Sequence, residues 1–186
     1  MEDLVTVKIK RYSHVRLSNI SSLERKSNHK LTLFEKIFLI NLGSTQYLLE
    51  ILTECAISIR IVRQEEKNDL IIRNVMMLKK ITKQIILIAT SSIHKNELTP
   101  EVLEEVRNSR KGIGVILLKY NFGFYREIKE IGYNPNTSGV FRKYHILRNK
   151  RIVADIEETF SDENLRWTGW DLNPRPQQCQ CRILPD

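Results

Sequence analysis

The sequence predicts an α+β fold built on an antiparallel β-sheet of about six strands. Most of the strand-like segments alternate apolar and polar residues, which is typical of strands with one buried face. Short polar turns such as EEKND and KKITKQ join consecutive segments, and turns this short favour antiparallel meanders. The helical patterns cluster before the first meander and between the two meanders, instead of alternating with single strands.

The chain divides by composition into three parts. Residues 1–30 are polar and mixed, and they are expected to form an N-terminal extension. Within them VTVKIK alternates and is compatible with a strand, whereas SNISSLERKSNHK is compatible with a loop or a loose helix. The main domain is expected to span residues 31–164. Residues 165–186 contain three prolines, show no periodicity and have little to bury, so a disordered tail is expected there.

Two helices joined by a glycine turn are predicted at the start of the main domain. The stretch LTLFEKIFLINL places Leu33, Ile37 and Ile40 on one helical face, with Phe34 and Phe38 beside them. Gly43 is typical of a helix end. Ser44 can cap the start of the second helix, TQYLLEILTE, through its hydroxyl.

Two groups of three strands are predicted in the rest of the domain. The first group is AISIRIVRQ, LIIRNVMMLKK and IILIATSSI, and the second is FGFYREIKEIGY, GVFRKYHILRN and RIVADIEETF. Between the groups, Thr99 and Pro100 are suited to begin a helix, TPEVLEEVRNSR. A short apolar segment, preceded by two glycines, follows in KGIGVILLKY.

Composition favours one soluble globular domain. A chain of 186 residues can bury a sizeable core, and 41% hydrophobic with 28% charged residues is usual for such domains. The sequence has no apolar run of the roughly 18 residues that a membrane helix needs. Its start lacks the long apolar segment of a secretory signal. Three cysteines do not make a disulfide framework, so a reducing cytoplasm is expected.

The formal net charge of +8 suits anionic partners, which include nucleic acid, membrane surfaces and small carboxylates. The lysines and arginines are spread along the chain, with no dense basic run beyond KIKR at 8–11. Aromatic residues make up only 8% of the chain, and neither RNP-like nor zinc-finger spacing occurs. The pattern therefore favours a small-molecule carboxylate over nucleic acid as the partner.

The last predicted strand, RIVADIEETF, contains an acidic residue on its inner face. The apolar residues that alternation places on that face are Ile152, Ala154, Ile156 and Phe160. Glu158 occupies the remaining position of the same row, while Glu157 falls on the outer face. Glu158 could reach water at a fraying strand end, or it could point into a binding cavity, where a desolvated carboxylate would cost stability.

Arg73 is a candidate partner for an anion. In LIIRNVMML both faces are largely apolar, which is typical of a central strand, and Arg73 lies on one of them. Because a buried unpaired guanidinium is costly, Arg73 needs a negative charge nearby. Either Arg73 pairs internally with Glu158, or it clamps a ligand carboxylate with its two-pronged guanidinium while Glu158 lies across the same cavity.

Two glycine-containing segments could approach a ligand closely. Gly112 and Gly114 flank Ile113 just before a helical segment, where small residues and helix-start amides favour contact with anions. The same pattern is also typical of a tight corner. The G-S-T at residues 43–45 offers amides and hydroxyls at another helix start.

No pattern typical of a metal or cofactor site is found. The four histidines show no mutual spacing, and Cys179 and Cys181 form a lone C-x-C pair, which is a weak signal for a metal. Phosphate-loop and dinucleotide-binding signatures are missing from the sequence. No cofactor and no metal are therefore expected.

Several segments, in their order along the chain, resemble the chorismate pyruvate-lyase family in its archaeal and actinobacterial branch. They are EKIFLINLGSTQYLLE, IIRNVMML, ATSSI, KGIGVILL, YREIKEIG and IEETF, and the resemblance covers about residues 31–160. Members of that family split chorismate into 4-hydroxybenzoate and pyruvate without a metal or an organic cofactor. The resemblance implies an antiparallel sheet with helical flaps that close over a buried ligand pocket.

The resemblance also implies roles for four residues. Arg73 matches the arginine that holds the ring carboxylate, and Glu158 matches the acidic residue near the hydroxyl of the product, so these two are the candidate catalytic residues. Ile113 and Thr45 match backbone contacts to the ligand. Two departures stand out: ATSSI lacks the arginine that some members carry there, and a longer loop before the last strand leaves Glu157 as an alternative match. Alternation favours Glu158.

The expected function is therefore that of a carbon–oxygen lyase acting on chorismate, as a monomer or a homodimer. Eliminating the enolpyruvyl ether makes the ring aromatic, so the enzyme need only hold the dianion and assist the movement of protons and charge. Burial would raise the pKa of Glu158 and allow it to act as an acid or base near neutrality. The alternatives are a non-catalytic module that binds aromatic carboxylates on the same architecture, and a basic nucleic-acid-binding protein.

Overall fold

The framework of the protein is an antiparallel sheet with strand order β1-β5-β6-β7-β4-β3-β2. The computed structural model describes residues 3–9 and 14–161, so the predicted tail 165–186 lies outside the described residues. The strands are β1 (Val5–Lys8), β2 (Ile57–Lys67), β3 (Leu70–Lys79), β4 (Ile85–His94), β5 (Tyr125–Asn134), β6 (Gly139–Arg148) and β7 (Arg151–Ser161). The helices are α1 (Leu17–Ser27), α2 (Leu33–Ile40), α3 (Thr45–Thr53), α4 (Pro100–Asn108) and α5 (Ile113–Lys119), with a short 3-10 helix at Lys95–Glu97.

The α+β class and the antiparallel sheet are confirmed. Strands β2, β3 and β4 form one meander and β5, β6 and β7 form the other, and pairing of β4 with β7 joins the two into one sheet. The stretch that alternates near the N-terminus is β1, which pairs with β5 and gives the described sheet seven strands, one more than expected. No helix within residues 3–9 and 14–161 is long and apolar enough to cross a membrane.

The N-terminal elements contribute to the hydrophobic core. The stretch that was compatible with a loop or a loose helix forms α1, with Ile20 and Leu23 buried one turn apart on its inner side. Val7 of β1 is buried in the same core. Residues 1–30 therefore include a helix and an edge strand that are packed on the sheet.

The apolar face predicted for α2 is only partly the buried one. Leu33 is 75% exposed and Ile40 is about half exposed, whereas Phe38 and Leu39 are fully buried. The apolar residues of this eight-residue helix are distributed all around its axis. The period of the sequence pattern therefore did not identify the inner face. Phe38 stacks on Phe160 of β7, with ring centroids 5.0 Å apart, and this contact sets the orientation of the helix.

A buried carboxylate fixes the start of α2. Glu35 accepts a hydrogen bond from the backbone N–H of Thr32 at 2.7 Å, while Thr32 Oγ1 accepts one from the backbone N–H of Glu35, which completes a capping box. His29 Nε2 lies 3.2 Å from the same carboxylate. The helix ends at Ile40, and Ser44 caps α3 by accepting from the backbone N–H of Tyr47, as predicted.

A β-bulge near the start of β7 changes the predicted alternation. Leu147 pairs with Ile152 and Ile146 pairs with Ala154, so Val153 is an extra residue on β7. As a result Ile152, which was placed on the inner face, is 37% exposed, and Val153 is buried. The pairing of β7 with β6 and β4 is regular from Ala154 onward.

The inner position of Glu158 is confirmed. Glu158 is buried and pairs across the strands with Ala89 of β4 and Arg142 of β6, whereas half of the Glu157 side chain is exposed. Residues that face one another across antiparallel strands share a face. The sheet register therefore places Glu158 on the face that is covered by helices, in the middle of the sheet.

Gly132 is required by the close packing of β1 on β5. A methyl group at this position would run into the Phe141 ring and lie 2.7 Å from the backbone oxygen of Val5. We expect Gly132→Ala to destabilise the protein by about 1–3 kcal/mol, the usual cost of overpacking. Chemical denaturation measures the change. Gly43→Ala is the control, because its nearest new contact is a side-chain oxygen of Asn41 at 3.3 Å. Equal midpoints for both variants would contradict the described packing of β1.

Candidate functional site

The candidate site is a pocket between the inner face of the sheet and the starts of α3 and α5. Its lining includes Thr45, Arg73, Ser91, Ile113, Gly114, Arg126, Tyr144 and Glu158. The four residues proposed from the sequence as site residues, Thr45, Arg73, Ile113 and Glu158, thus line one pocket although they lie far apart in the chain. The cavity measures about 40 Å³. This is room for about three water molecules.

Glu158 is held by four donors. Its Oε1 accepts hydrogen bonds from Thr45 Oγ1 and from Tyr144 OH, both at 2.9 Å. Its Oε2 accepts from Arg142 Nε at 2.9 Å and from Arg142 Nη2 at 2.7 Å. An ionised carboxylate offers about four acceptor sites, so these bonds use all of them. The frayed-end interpretation of Glu158 is wrong, because the side chain is buried and fully bonded.

Arg142 is the ionic partner of Glu158 and is itself fully buried. Beyond its bonds to Glu158, its Nη1 donates to the backbone oxygens of Phe38 and Asn41, each at 2.6 Å. Its Nη2 donates to Thr45 Oγ1 at 2.9 Å. One guanidinium thus ties the end of α2 and the start of α3 to the acidic residue of β7.

The alternative in which Glu158 pairs with Arg73 is therefore wrong: an internal ion pair exists, but Arg142 forms it. Sequence reasoning missed Arg142, although a signal was present. In GVFRKYHILRN, Arg142 shares an alternating row with Val140, Tyr144 and Ile146, all of which are buried. The test that singled out Glu158 on β7 would also have singled out Arg142 on β6.

Glu158 is ionised in this environment. Burial acts to raise its pKa, but the charges of Arg142 and Arg126 and the hydrogen bonds from Arg142 and Thr45 outweigh burial, so the pKa of Glu158 lies below its ordinary value of 4.5. The expected rise in this pKa is therefore wrong. Burial raises the pKa of Tyr144 to about 12, with the charges of Arg126 and Glu158 acting on it in opposite directions. At neutral pH the carboxylate accepts and the phenol donates.

Arg73 is 2% exposed and reaches the segment before α5. Its Nη2 donates to the backbone oxygen of Ser109 at 2.6 Å and its Nη1 to that of Lys111 at 2.9 Å. Its Nε has no hydrogen-bond partner among the described residues. No acidic side chain forms an ion pair with Arg73 within residues 3–9 and 14–161. Desolvation lowers the pKa of its guanidinium, which still stays charged at neutral pH.

Arg126 is a pocket residue that the sequence reasoning did not identify. It lies on β5, is 6% exposed, and places its guanidinium carbon 5.1 Å from the centre of the Tyr144 ring. Both Nε and Nη1 of Arg126 are buried without a hydrogen-bond partner in the described part of the chain. The signal was again alternation, because Arg126 and the buried Ile128 stand two residues apart on the same strand.

Ile113 and Thr45 occupy the starts of the two covering helices. Ile113 is the first residue of α5, after Gly112. Thr45 is the first residue of α3, and its hydroxyl is used by Glu158 and Arg142. No group of three or more His, Cys, Asp or Glu residues within residues 3–9 and 14–161 is arranged to hold a metal ion.

No protein-family model and no curated protein matches this chain. The pocket itself is therefore the guide to function.

Proposed function

We propose that the protein is a chorismate lyase-like enzyme, which binds chorismate in this pocket and releases 4-hydroxybenzoate and pyruvate. The observation that carries the proposal is the pair of buried arginines, Arg73 and Arg126, at the wall of one pocket. Each has at least one buried N–H group without a partner among the described residues: Nε of Arg73, and Nε and Nη1 of Arg126. Chorismate carries two carboxylates, which could neutralise both cations.

The charges of the pocket wall leave a surplus of two positive charges. Glu158 offsets the charge of Arg142, with which it forms an ion pair at 2.7 Å. Arg73 and Arg126 have no such acidic partner among the described side chains. Isolated buried charges cost several kcal/mol each, so an anion that enters the pocket recovers part of that cost. This balance favours an anionic ligand over a neutral or cationic one.

A ring-sized ligand requires the cover of the pocket to move. About 40 Å³ accommodates a few water molecules but not a cyclohexadiene with two carboxylates. The cover consists of the starts of α3 and α5, together with the segment that Arg73 holds through Ser109 and Lys111. The proposal therefore includes opening of these helical segments, in the manner of flaps, before the ligand binds.

The proposed reaction breaks the bond between the ring and the ether oxygen of the enolpyruvyl group. The neighbouring ring carbon loses its hydrogen as a proton, the ring becomes aromatic, and the released enolpyruvate takes up a proton to give pyruvate. In this proposal Arg73 holds the ring carboxylate, and the surplus positive charge of the wall stabilises the oxygen of the leaving group. Glu158 is ionised and cannot donate a proton, so we assign it to fixing Arg142, Thr45 and Tyr144 around the ring.

A non-catalytic module that binds aromatic carboxylates is the second candidate. The saturated hydrogen bonds of Glu158 favour it, because no free acid or base is then present on that wall. Binding needs only the two arginines, whereas turnover also needs a route for the ring proton. The two candidates therefore differ in turnover and not in ligand class.

Incubation of the purified protein with chorismate tests the proposal. We expect 4-hydroxybenzoate and pyruvate to appear in equal amounts, measured by absorbance and by a coupled pyruvate assay. Binding of 4-hydroxybenzoate in calorimetry without any turnover would support the binding module instead. Neither binding nor turnover would overturn both candidates.

A further inference from the structure

Arg126 is positioned at the Tyr144 side of the pocket, on a different strand from Arg73. Arg126 lies on β5 and Arg73 on β3, with β6, β7 and β4 between the two strands. Its guanidinium lies 5.1 Å from the Tyr144 ring centre. The charge of Arg126 also contributes to the lowered pKa of Glu158, whereas burial is the cause acting on the pKa of Arg73. The two cations therefore come from strands that are four places apart in the sheet.

Gly114 provides the space that Arg126 occupies. A methyl group on Gly114 would lie 2.5 Å from Nη2 of Arg126. Gly114 is the second residue of α5 and is buried, and a glycine inside a helix costs stability relative to alanine. The close approach of Arg126 gives a physical reason for this glycine, because any side chain here would displace the guanidinium.

Arg126 is poorly explained as a purely structural residue. A buried structural arginine normally donates to carbonyls or carboxylates, as Arg142 does with every nitrogen. In contrast, Nε and Nη1 of Arg126 have no partner in the described part of the chain, although both are shielded from water. A buried donor without a partner is costly, and here one cation that lines the cavity carries two such donors. An anion in the cavity would offset the charge of this guanidinium.

We propose that Arg126, placed by Gly114, forms a second anion subsite, and that the pocket selects ligands with two anionic groups over ligands with one. The inference rests on the proposed function in one respect: the first anionic group is the carboxylate assigned to Arg73. The second group enters on the Tyr144 side and accepts a charge-assisted hydrogen bond from the Arg126 guanidinium.

The test compares monoanionic and dianionic probes in calorimetry. Benzoate carries one carboxylate, and benzene-1,3-dicarboxylate and benzene-1,4-dicarboxylate carry two at different separations. We expect the wild-type protein to bind at least one dicarboxylate more tightly than benzoate. Arg126→Met should remove this preference by weakening the affinity for the dicarboxylate roughly 30-fold or more, as expected for loss of a buried charge partner. The affinity for benzoate should be unchanged. Arg60→Met is the control, because Arg60 is an exposed residue on β2.

Two further measurements separate a binding role from a structural role. The melting temperature of Arg126→Met should equal or exceed that of the wild type, because the change removes a buried charge that forms no ion pair with the described residues. Gly114→Ala should also weaken the preference for a dicarboxylate, because the new methyl group displaces Arg126. A loss of preference together with a raised or unchanged melting temperature supports the subsite.

Other outcomes overturn the subsite. The subsite is wrong if Arg126→Met keeps the full preference, or if the wild type binds no dicarboxylate more tightly than benzoate. In either case benzoate binding at Arg73 would still support the proposed function. If Arg126→Met is strongly destabilised, Arg126 is structural and the subsite is wrong. If the wild type binds none of the three probes, the subsite and the proposed function both fail.

Discussion

Replacement of Glu158 by glutamine is expected to lower the free energy of unfolding by about 3–5 kcal/mol, the range found when one member of a buried ion pair is removed. Glutamine keeps the shape of the side chain, but Arg142 would lose its only ionic partner among the described residues while remaining fully buried. The alternation of β7 alone suggested an uncompensated carboxylate, whose removal would have left the fold as stable as the parent or more so. Pairing with Arg142 reverses that expectation.

Glu157→Gln is the matched control for this substitution. Half of the Glu157 side chain is exposed, and its ion pair with Lys143 is long, at 3.6 Å. Exposed pairs of this kind contribute little, so the control should change stability by less than about 0.5 kcal/mol. Urea denaturation of both variants at pH 7 measures the difference. A Glu158→Gln variant as stable as the control would mean that Glu158 and Arg142 are not paired as described.

The effect of Glu158→Gln should depend on pH. The pKa of Glu158 is lowered in the folded protein, so its stabilising contribution is present above the ordinary value of 4.5 and is lost as the pH falls through the lower folded value. The stability difference between wild type and Glu158→Gln should therefore be constant near pH 7 and shrink below about pH 4.5. Denaturation curves at several acidic pH values check this, and a difference that stays constant to pH 2 would contradict an ionised Glu158.

The strands were predictable from sequence because alternation, short polar turns and β-branched residues all indicate the same structure. The same agreement identified Glu158 as inward-facing. It did not identify Arg142 as the partner of Glu158, because a cross-strand neighbour is defined by the register of two strands and not by either strand alone. Alternation on β6 and β5 would still have marked Arg142 and Arg126 as buried charges.

The helices were harder to interpret in detail. In α2 the apolar residues surround the helix, so the buried face was decided by tertiary contacts such as Phe38 on Phe160. The burial of Glu35 could not be predicted from the sequence pattern. It depends on the hydrogen bond that Glu35 accepts from the backbone N–H of Thr32. The contacts of Arg73 with Ser109 and Lys111 likewise join segments whose proximity no local pattern predicts.

Arg73→Ala is expected to weaken binding of 4-hydroxybenzoate by about 2–5 kcal/mol, which is roughly 30-fold or more. The substitution removes the cation that the proposal assigns to the ring carboxylate. Arg73→Lys should restore binding poorly. The guanidinium of Arg73 donates to the backbone oxygens of Ser109 and Lys111 and keeps Nε for a ligand. A single ammonium cannot make all three contacts in this geometry. Calorimetry with 4-hydroxybenzoate measures both variants, with Arg60→Ala, at an exposed position of β2, as the control.

Arg73 has a second expected effect, which separates its two roles. Its hydrogen bonds to the backbone oxygens of Ser109 and Lys111 hold the segment that leads into α5. Loss of these bonds in Arg73→Ala should speed hydrogen exchange and proteolysis around residues 109–112, because local opening is governed by the contacts of the opened segment. Faster opening with unchanged ligand affinity would mean that Arg73 only holds the cover of the pocket, and that the ring carboxylate binds elsewhere. Faster opening together with lost affinity, and poor rescue by lysine, would place the carboxylate at Arg73.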